Sequence, residues 1–119
     1  MYYTTTVRLN VEGAPAERLA GVMISLFDRD TFTPDDFLGT EMTDTHGEAH
    51  FRFTSEQYMD VDDQLGGVMP DLYVKVFDAS GEMVLSTRAD TVPNTARKQI
   101  QIDVPVALVE QHQLRGARS

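Results

Sequence analysis

The chain has 119 residues, no cysteine and a net charge of −9, from nineteen acidic side chains against ten Lys plus Arg. That length is near the commonest size of one domain and suffices for a single core without covalent staples. The missing cysteines exclude a disulfide framework and thiolate chemistry. The acidic balance repels a phosphate backbone, which sets nucleic acid aside, and disfavours a bare anionic membrane unless a cation bridges the two.

Alternation of period two, the signature of strands with one buried face, recurs along the chain. The N-terminal stretch MYYTTTVRLN lacks the basic segment and apolar run of a signal peptide. Instead Val7, Leu9 and Val11 share one face there, and Arg8 and Asn10 the other. In GVMISLFD, Val22, Ile24 and Leu26 alternate with Met23, Ser25 and Phe27, which predicts a strand covered on both sides. EAHFRFT sets Ala49, Phe51 and Phe53 against His50 and Arg52. DLYVKVFD sets Leu72, Val74 and Val76 against Tyr73, Lys75 and Phe77. EMVLSTR is a shorter run. KQIQIDVPVAL places Ile100, Ile102, Val104 and Val106 on one face, and Pro105, which cannot donate to a ladder, marks the end of that strand as an edge. Leu26, Phe51, Phe53, Val74, Val76, Ile100 and Ile102 are expected in one core.

Between these runs, DTHGE (Asp44 to Glu48) and DASGE (Asp78 to Glu82) share the spacing D-x-x-G-E. In each, the Asp side chain can accept from the backbone two residues on and the Gly can take a positive φ, so both predict tight hairpins. Short strands with turns at these intervals indicate a sandwich or barrel. No stretch has convincing helical periodicity; Ser55 to Gly67 could hold one helical turn or an acidic loop. No apolar run approaches the ~18 residues of a membrane-crossing helix, so direct membrane insertion is not expected. The expectation is one domain over residues 1–110 and a flexible C-terminal tail over 111–119.

The order GVMISLFDRD, PDDFLGT, TDTHGEAHF, PDLYVKV resembles the transthyretin-like, or prealbumin-like, sandwich family, and the carboxypeptidase-regulatory-like domains akin to it. The resemblance covers roughly Thr5 to Thr87. It implies an all-β, Greek-key β-sandwich of seven or eight strands with at most one short helical turn. An enzyme branch of that family hydrolyses 5-hydroxyisourate, with a His near the first strand, an Arg in the middle, and a C-terminal His with a YRGS end. This chain departs from it: no histidine precedes His46, IDVPVALVE stands near the C-terminus, and the end is LRGARS. D-x-D followed by DDFLG also resembles the calcium loop of the phospholipid-binding sandwiches of synaptotagmins and protein kinases C, but there the PYVKV-like strand precedes the loop and here it follows.

Five aspartates fall between Asp28 and Asp44. Calcium takes six to eight oxygens, several of them carboxylate, and Asp28, Asp30, Asp36 and Asp71 are the residues that could supply them. An EF-hand is excluded, because Gly39 stands where the twelfth position needs Glu. The simpler reading makes these acids architectural, with Asp28 and Asp30 closing a strand and Asp35 and Asp36 shaping a loop. His46 and His50 lie four apart, a ligand spacing on a helix and not on a hairpin; His112 falls in the tail. Nucleophilic catalysis has no foothold, since Cys and G-x-S-x-G are both absent.

The expected function is a non-enzymatic interaction module that binds a protein partner, or itself as a homo-oligomer, through strand edges and loops, with no cofactor. Tyr58, Tyr73 and Phe77 are the candidate interface residues. The alternative is a calcium-dependent binding module built on the Asp28–Asp36 loop. The resemblance extends to domains attached to larger secreted proteins and to secretion machinery, so the location is either cytoplasmic or within an exported multi-protein assembly.

Overall fold

A computed structural model describes residues 2–29, 34–54, 71–90 and 99–114. Among the described residues, eight strands form two four-stranded sheets packed face to face. The strands are β1 (Tyr2–Val11), β2 (Ala14–Arg18), β3 (Met23–Asp28), β4 (Asp36–Met42), β5 (Glu48–Thr54), β6 (Leu72–Phe77), β7 (Met83–Ser86) and β8 (Gln99–Val104). A one-turn 3₁₀ helix, Arg88–Asp90, follows β7, and a six-residue helix, α1 (Val106–Gln111), follows β8. The described residues thus form an all-β sandwich with minimal helix.

The first sheet is organised around β1. Its residues Tyr2 to Arg8 pair antiparallel with β5, from Thr54 back to Glu48. Thr6 to Val11 pair parallel with β8, Gln99 to Val104, so β8 takes the opposite edge. Beyond the end of β5, a bulge at Asn10/Val11 lets β2 join on the β5 side. The second sheet runs β4-β3-β6-β7, every pair antiparallel.

Alternation places the core as expected. Leu26, Phe51, Phe53, Val74, Val76 and Ile102 are all buried in one cluster with Val7, Leu9 and Ile24, while Ile100, near the start of edge strand β8, is half-buried and packs against it. His50, Arg52 and Lys75 face outward. Strand β3 is covered on both sides: Ser25, on its outer face, is buried and its hydroxyl lies 2.7 Å from that of Thr40.

The C-terminal end departs from the expectation. The alternating run does not continue as strand through Val106. Pro105 ends β8, and its carbonyl accepts the N–H groups of Leu108 and Val109 at 3.0 and 3.1 Å, opening α1. Proline suits this place: its ring fixes φ near the helical value, and its missing N–H is no loss at a helix start. Helix α1 then crosses the end of the sandwich. Val109 and Leu114 are buried in the core cluster, and Gln113, at φ +53°, turns the chain so that the Leu114 N–H reaches the Val109 carbonyl at 3.0 Å. Residues 111–114, assigned from sequence to the tail, therefore pack as part of the domain. The acidic stretch Ser55 to Gly67 lies outside the described residues.

Both predicted hairpin glycines have positive φ, +73° at Gly47 and +88° at Gly81, but their surroundings differ. A Cβ on Gly81 would meet nothing within 4 Å, whereas one on Gly47 would lie 2.9 Å from both the Arg18 Cβ and the Leu9 carbonyl oxygen. Gly81→Ala is expected to cost about 1–2 kcal/mol from the left-handed backbone alone. Gly47→Ala is expected to cost about 2–5 kcal/mol, with overpacking against backbone added. Urea unfolding of the two variants checks this, and equal losses would count against the close approach at Gly47.

Candidate functional site

The aspartates between β3 and β4 are tied into the frame. Asp28, the last residue of β3, is 4% exposed, and its carboxylate accepts the Asp71 N–H at 2.8 Å while the Arg29 N–H donates to the Asp71 carbonyl at 2.8 Å. Asp36 pairs with Asp28 across β3 and β4. Asp35 accepts the Tyr73 hydroxyl and a forked pair of bonds from Arg88, at 2.7 Å from Nε and 3.3 Å from Nη2. The Tyr73 ring stacks on Phe27 at 5.2 Å with the planes 12° apart, and the Arg88 guanidinium lies 6.0 Å above it. Burial, then the bond to the Asp35 carboxylate, push the Tyr73 hydroxyl up to about 12. Asp30 lies outside the described residues. Asp28, Asp36 and Asp71 do not bring three carboxylate oxygens within 4.8 Å of one another.

Of the residues expected at an interface, Tyr58 lies outside the described residues. Tyr73 is 2% exposed: Phe27, Asp35 and Arg88 cover it, so it supports the outer face of the second sheet from within and offers no contact surface of its own. Phe77 is half-buried and belongs to a cross-strand row. Register places Met42 opposite Met23, Met23 opposite Phe77, and Phe77 opposite Met83, one apolar residue from each of the four strands on the outward face. The two at the sheet edges, Met42 and Met83, are 60% and 50% exposed. A second row, Phe37–Phe27–Tyr73, lies towards the other end of the same face.

At the end of the sandwich that α1 closes, part of the methionine row becomes the floor of a cleft of about 880 Å³. Met42, Met23 and Phe77 line it, together with the Asp78–Gly81 turn and His112 to Leu114. The D-x-x-G-E spacing builds this turn. Asp78 Oδ1 accepts from the Ser80 N–H (2.9 Å), the Ser80 hydroxyl (2.6 Å) and the Glu82 N–H (3.0 Å). Asp78 Oδ2 is thereby aimed at His112, whose Nδ1 donates to it at 2.8 Å. The pair is largely shielded from water, with side-chain exposures of 9% and 6%. The bonds from Ser80, then that from His112, hold the Asp78 carboxyl well below the usual carboxylate range.

The Asp44–Glu48 turn repeats this bonding. Asp44 Oδ1 accepts the N–H groups of His46 (2.8 Å) and Glu48 (3.1 Å), and Oδ2 lies 3.4 Å from His50 Nε2. Here the histidine is exposed, and its Nδ1 lies 3.0 Å from the Thr6 hydroxyl. The Glu48 N–H first, with smaller contributions from His46 and His50, lowers the Asp44 carboxyl. Each turn thus gathers an Asp, a Glu and a His whose ligating atoms lie within 4.8 Å of one another. Sequence reasoning paired His46 with His50 and left His112 in the tail. The repeated turn motif was the available signal, since it leaves one carboxylate oxygen free in each copy.

No family model matches the chain, and no curated protein matches it. Among solved structures it is similar to a 9R-lipoxygenase from Cyanothece PCC8801, with a TM-score of 0.52 and 21% identity over 88% of this chain and 16% of the lipoxygenase. At that identity the likeness is one of fold: a β-sandwich that recurs as a small part of a much longer protein.

Two outcomes follow from the tied acids. In a spectrophotometric titration at 295 nm, one tyrosine is expected to ionise near pH 12, and Tyr73→Phe is expected to remove that phase. Because the folded-state pKa is raised, the stabilisation is complete below the ordinary tyrosine value near 10 and is lost as pH climbs towards 12. Millimolar calcium, for its part, is expected to move the melting midpoint no further than magnesium at matched ionic strength. A calcium-selective rise of several degrees, as linkage of about 2.7 kcal/mol at one hundred times the dissociation constant would give, would show that the loop binds the ion.

Proposed function

We propose that the chain is a non-enzymatic binding module of the transthyretin-like kind that engages a polypeptide, a partner or a second copy of itself, through the outer face and edges of its second sheet. The observation that carries this reading is the row Met42–Met23–Phe77–Met83, which crosses all four strands and leaves methionine exposed at both edges. Exposed apolar surface that is contiguous, and not scattered, marks interaction sites. Methionine is the residue that adapts to differently shaped partners at least cost, through its unbranched chain and polarizable sulfur. The transthyretin-like part of the reading draws support from the placement of its motif segments. GVMISLFDRD, PDDFLGT and PDLYVKV contribute the adjacent strands β3, β4 and β6, and TDTHGEAHF forms the turn into β5.

A photo-crosslinking residue placed at position 42 or 83, in cells that naturally make the protein, tests the reading. The expected result is one recurrent polypeptide adduct from both positions and none from position 52, on the outer face of the other sheet. A double Met42→Asp, Met83→Asp variant, with the crosslinker moved to position 37, is expected to lose it. Adducts from position 52 as abundant as those from 42 and 83, or none at all, would overturn it.

A further inference from the structure

We propose that Met42 and Met83 are sites of oxidation by peroxide, and that their conversion to the sulfoxide releases the polypeptide held on this face. The inference rests on the reading of the outer face as a binding surface and adds how that binding is controlled. The sulfur of the chain is carried by six methionines and no cysteine. Met1, Met59 and Met69 lie outside the described residues. The other three, Met23, Met42 and Met83, all stand in the one cross-strand row with Phe77. None of the three belongs to the core cluster. Among the described residues, sulfur oxidation therefore falls on the proposed binding face and spares the interior.

The row is graded in its access to water. Met42 closes β4 and Met83 opens β7, both at the edges of the sheet and 60% and 50% exposed. Met23, on β3 with Met42 and Phe77 as its cross-strand neighbours, is half-buried. Oxidation follows access, so the two edge residues react first. The thioether sulfur attacks one oxygen of hydrogen peroxide, and an S–O bond forms as the O–O bond breaks. The departing oxygen takes the proton of the hydroxyl delivered to sulfur and leaves as water; sulfur loses the two electrons that the peroxide gains. A flexible apolar side chain thereby becomes a polar one. While the face is free, the new oxygen is hydrated. A partner that covers it strips that water from a strong acceptor, which opposes binding. Oxidation at the edges thus acts on the bound state and leaves the fold alone, which a methionine inside the core would not allow.

The test has two parts. Purified protein is treated with hydrogen peroxide and digested, and mass spectrometry follows the gain of one oxygen at each methionine. Met42 and Met83 are expected to react at least roughly fivefold faster than Met23, and the melting midpoint to move by no more than about 2 °C once both have reacted. Binding is then read by photo-crosslinking in cells that naturally make the protein, before and after a pulse of peroxide. The crosslinker replaces Phe37, exposed on the same face, so that both methionines stay in place. The adduct is expected to fall at least roughly fivefold after the pulse. Met42→Leu with Met83→Leu keeps the row apolar and cannot be oxidised at the edges; its adduct is expected to be the same before and after. The partner meets the same peroxide in both cases, so this variant separates oxidation of the face from oxidation of the partner or of Met59 and Met69. Met42→Gln with Met83→Gln places polar, uncharged side chains at the edges and is expected to lower the adduct without peroxide. The proposal fails if Met23 reacts as fast as the edge pair, if the oxidised protein unfolds or keeps its adduct, if the Gln variant binds as the natural chain does, or if the Leu variant loses its adduct on the pulse. In each of those outcomes an adduct formed by the natural chain before the pulse leaves the binding face standing. No adduct before the pulse removes both the face and this control of it.

Discussion

Strand β1 carries the constraint on which the rest depends, because it must satisfy neighbours on both edges and bury one face at once. Its early residues give their backbone groups to β5 and its later ones to β8, and the bulge at Asn10/Val11 frees the β5 side for β2. Val7, Leu9 and Val11 are held inward by that pairing. The Asp44–Glu48 turn is fastened to the same strand, since the Leu9 N–H donates to the Gly47 carbonyl at 2.8 Å. From there the crossing into the second sheet is fixed by a buried threonine. The Thr43 hydroxyl donates to the Leu19 carbonyl at 2.7 Å and accepts the Val22 N–H at 2.9 Å. These bonds set the position of Gly21 to Met23, and therefore of one wall of the cleft. A buried hydroxyl that uses both its donor and an acceptor position in this way leaves little freedom for either segment to slide.

What was legible in the sequence was what is decided locally. Period-two alternation placed Phe51, Phe53, Val74 and Val76 inward because a strand has only two faces and one faces the other sheet. The D-x-x-G-E spacing fixed two turns because an aspartate reaches its own backbone without help from the rest of the chain. Illegible were the features settled by distant partners. Tyr73 sits on a face that alternation assigns to solvent, yet Asp35 and Arg88, from other parts of the chain, cover it. The acid-rich loop announced its composition and not its partners: Asp28 is used up by the Asp71 backbone 43 residues on. Helix α1 was hidden because Val104 and Val106 continue the alternation of β8. A six-residue helix has too few turns to show a period, so only Pro105 and the burial of Val109 reveal it.

The two turns also separate what a motif guarantees from what it merely permits. In both, one carboxylate oxygen is consumed by backbone donors. The other oxygen is left for whatever the fold brings near. At Asp44 that is a solvent-facing histidine two residues into the next strand; at Asp78 it is a shielded histidine from the far end of the chain. The same five-residue pattern is a surface feature in one place and a clamp for the C-terminal segment in the other. The His112–Asp78 bond thus joins the β6–β7 turn to α1, and through α1 to the first sheet.

The parallel pairing of β1 with β8 has a consequence for how the molecule is made. Partners in that ladder, such as Asn10 and Asp103, are 93 residues apart, so synthesis must run past β8 before the first strand gains the neighbour on its other edge. Until then β1 has one edge open and its apolar face only partly covered, a template for pairing with other nascent copies. Closing so long a loop late is slow compared with forming the β3–β4 or β6–β7 hairpins. The second sheet can therefore assemble before β8 is made, while the first is completed only after it. The interval between the two is the period in which this fold most needs a chaperone.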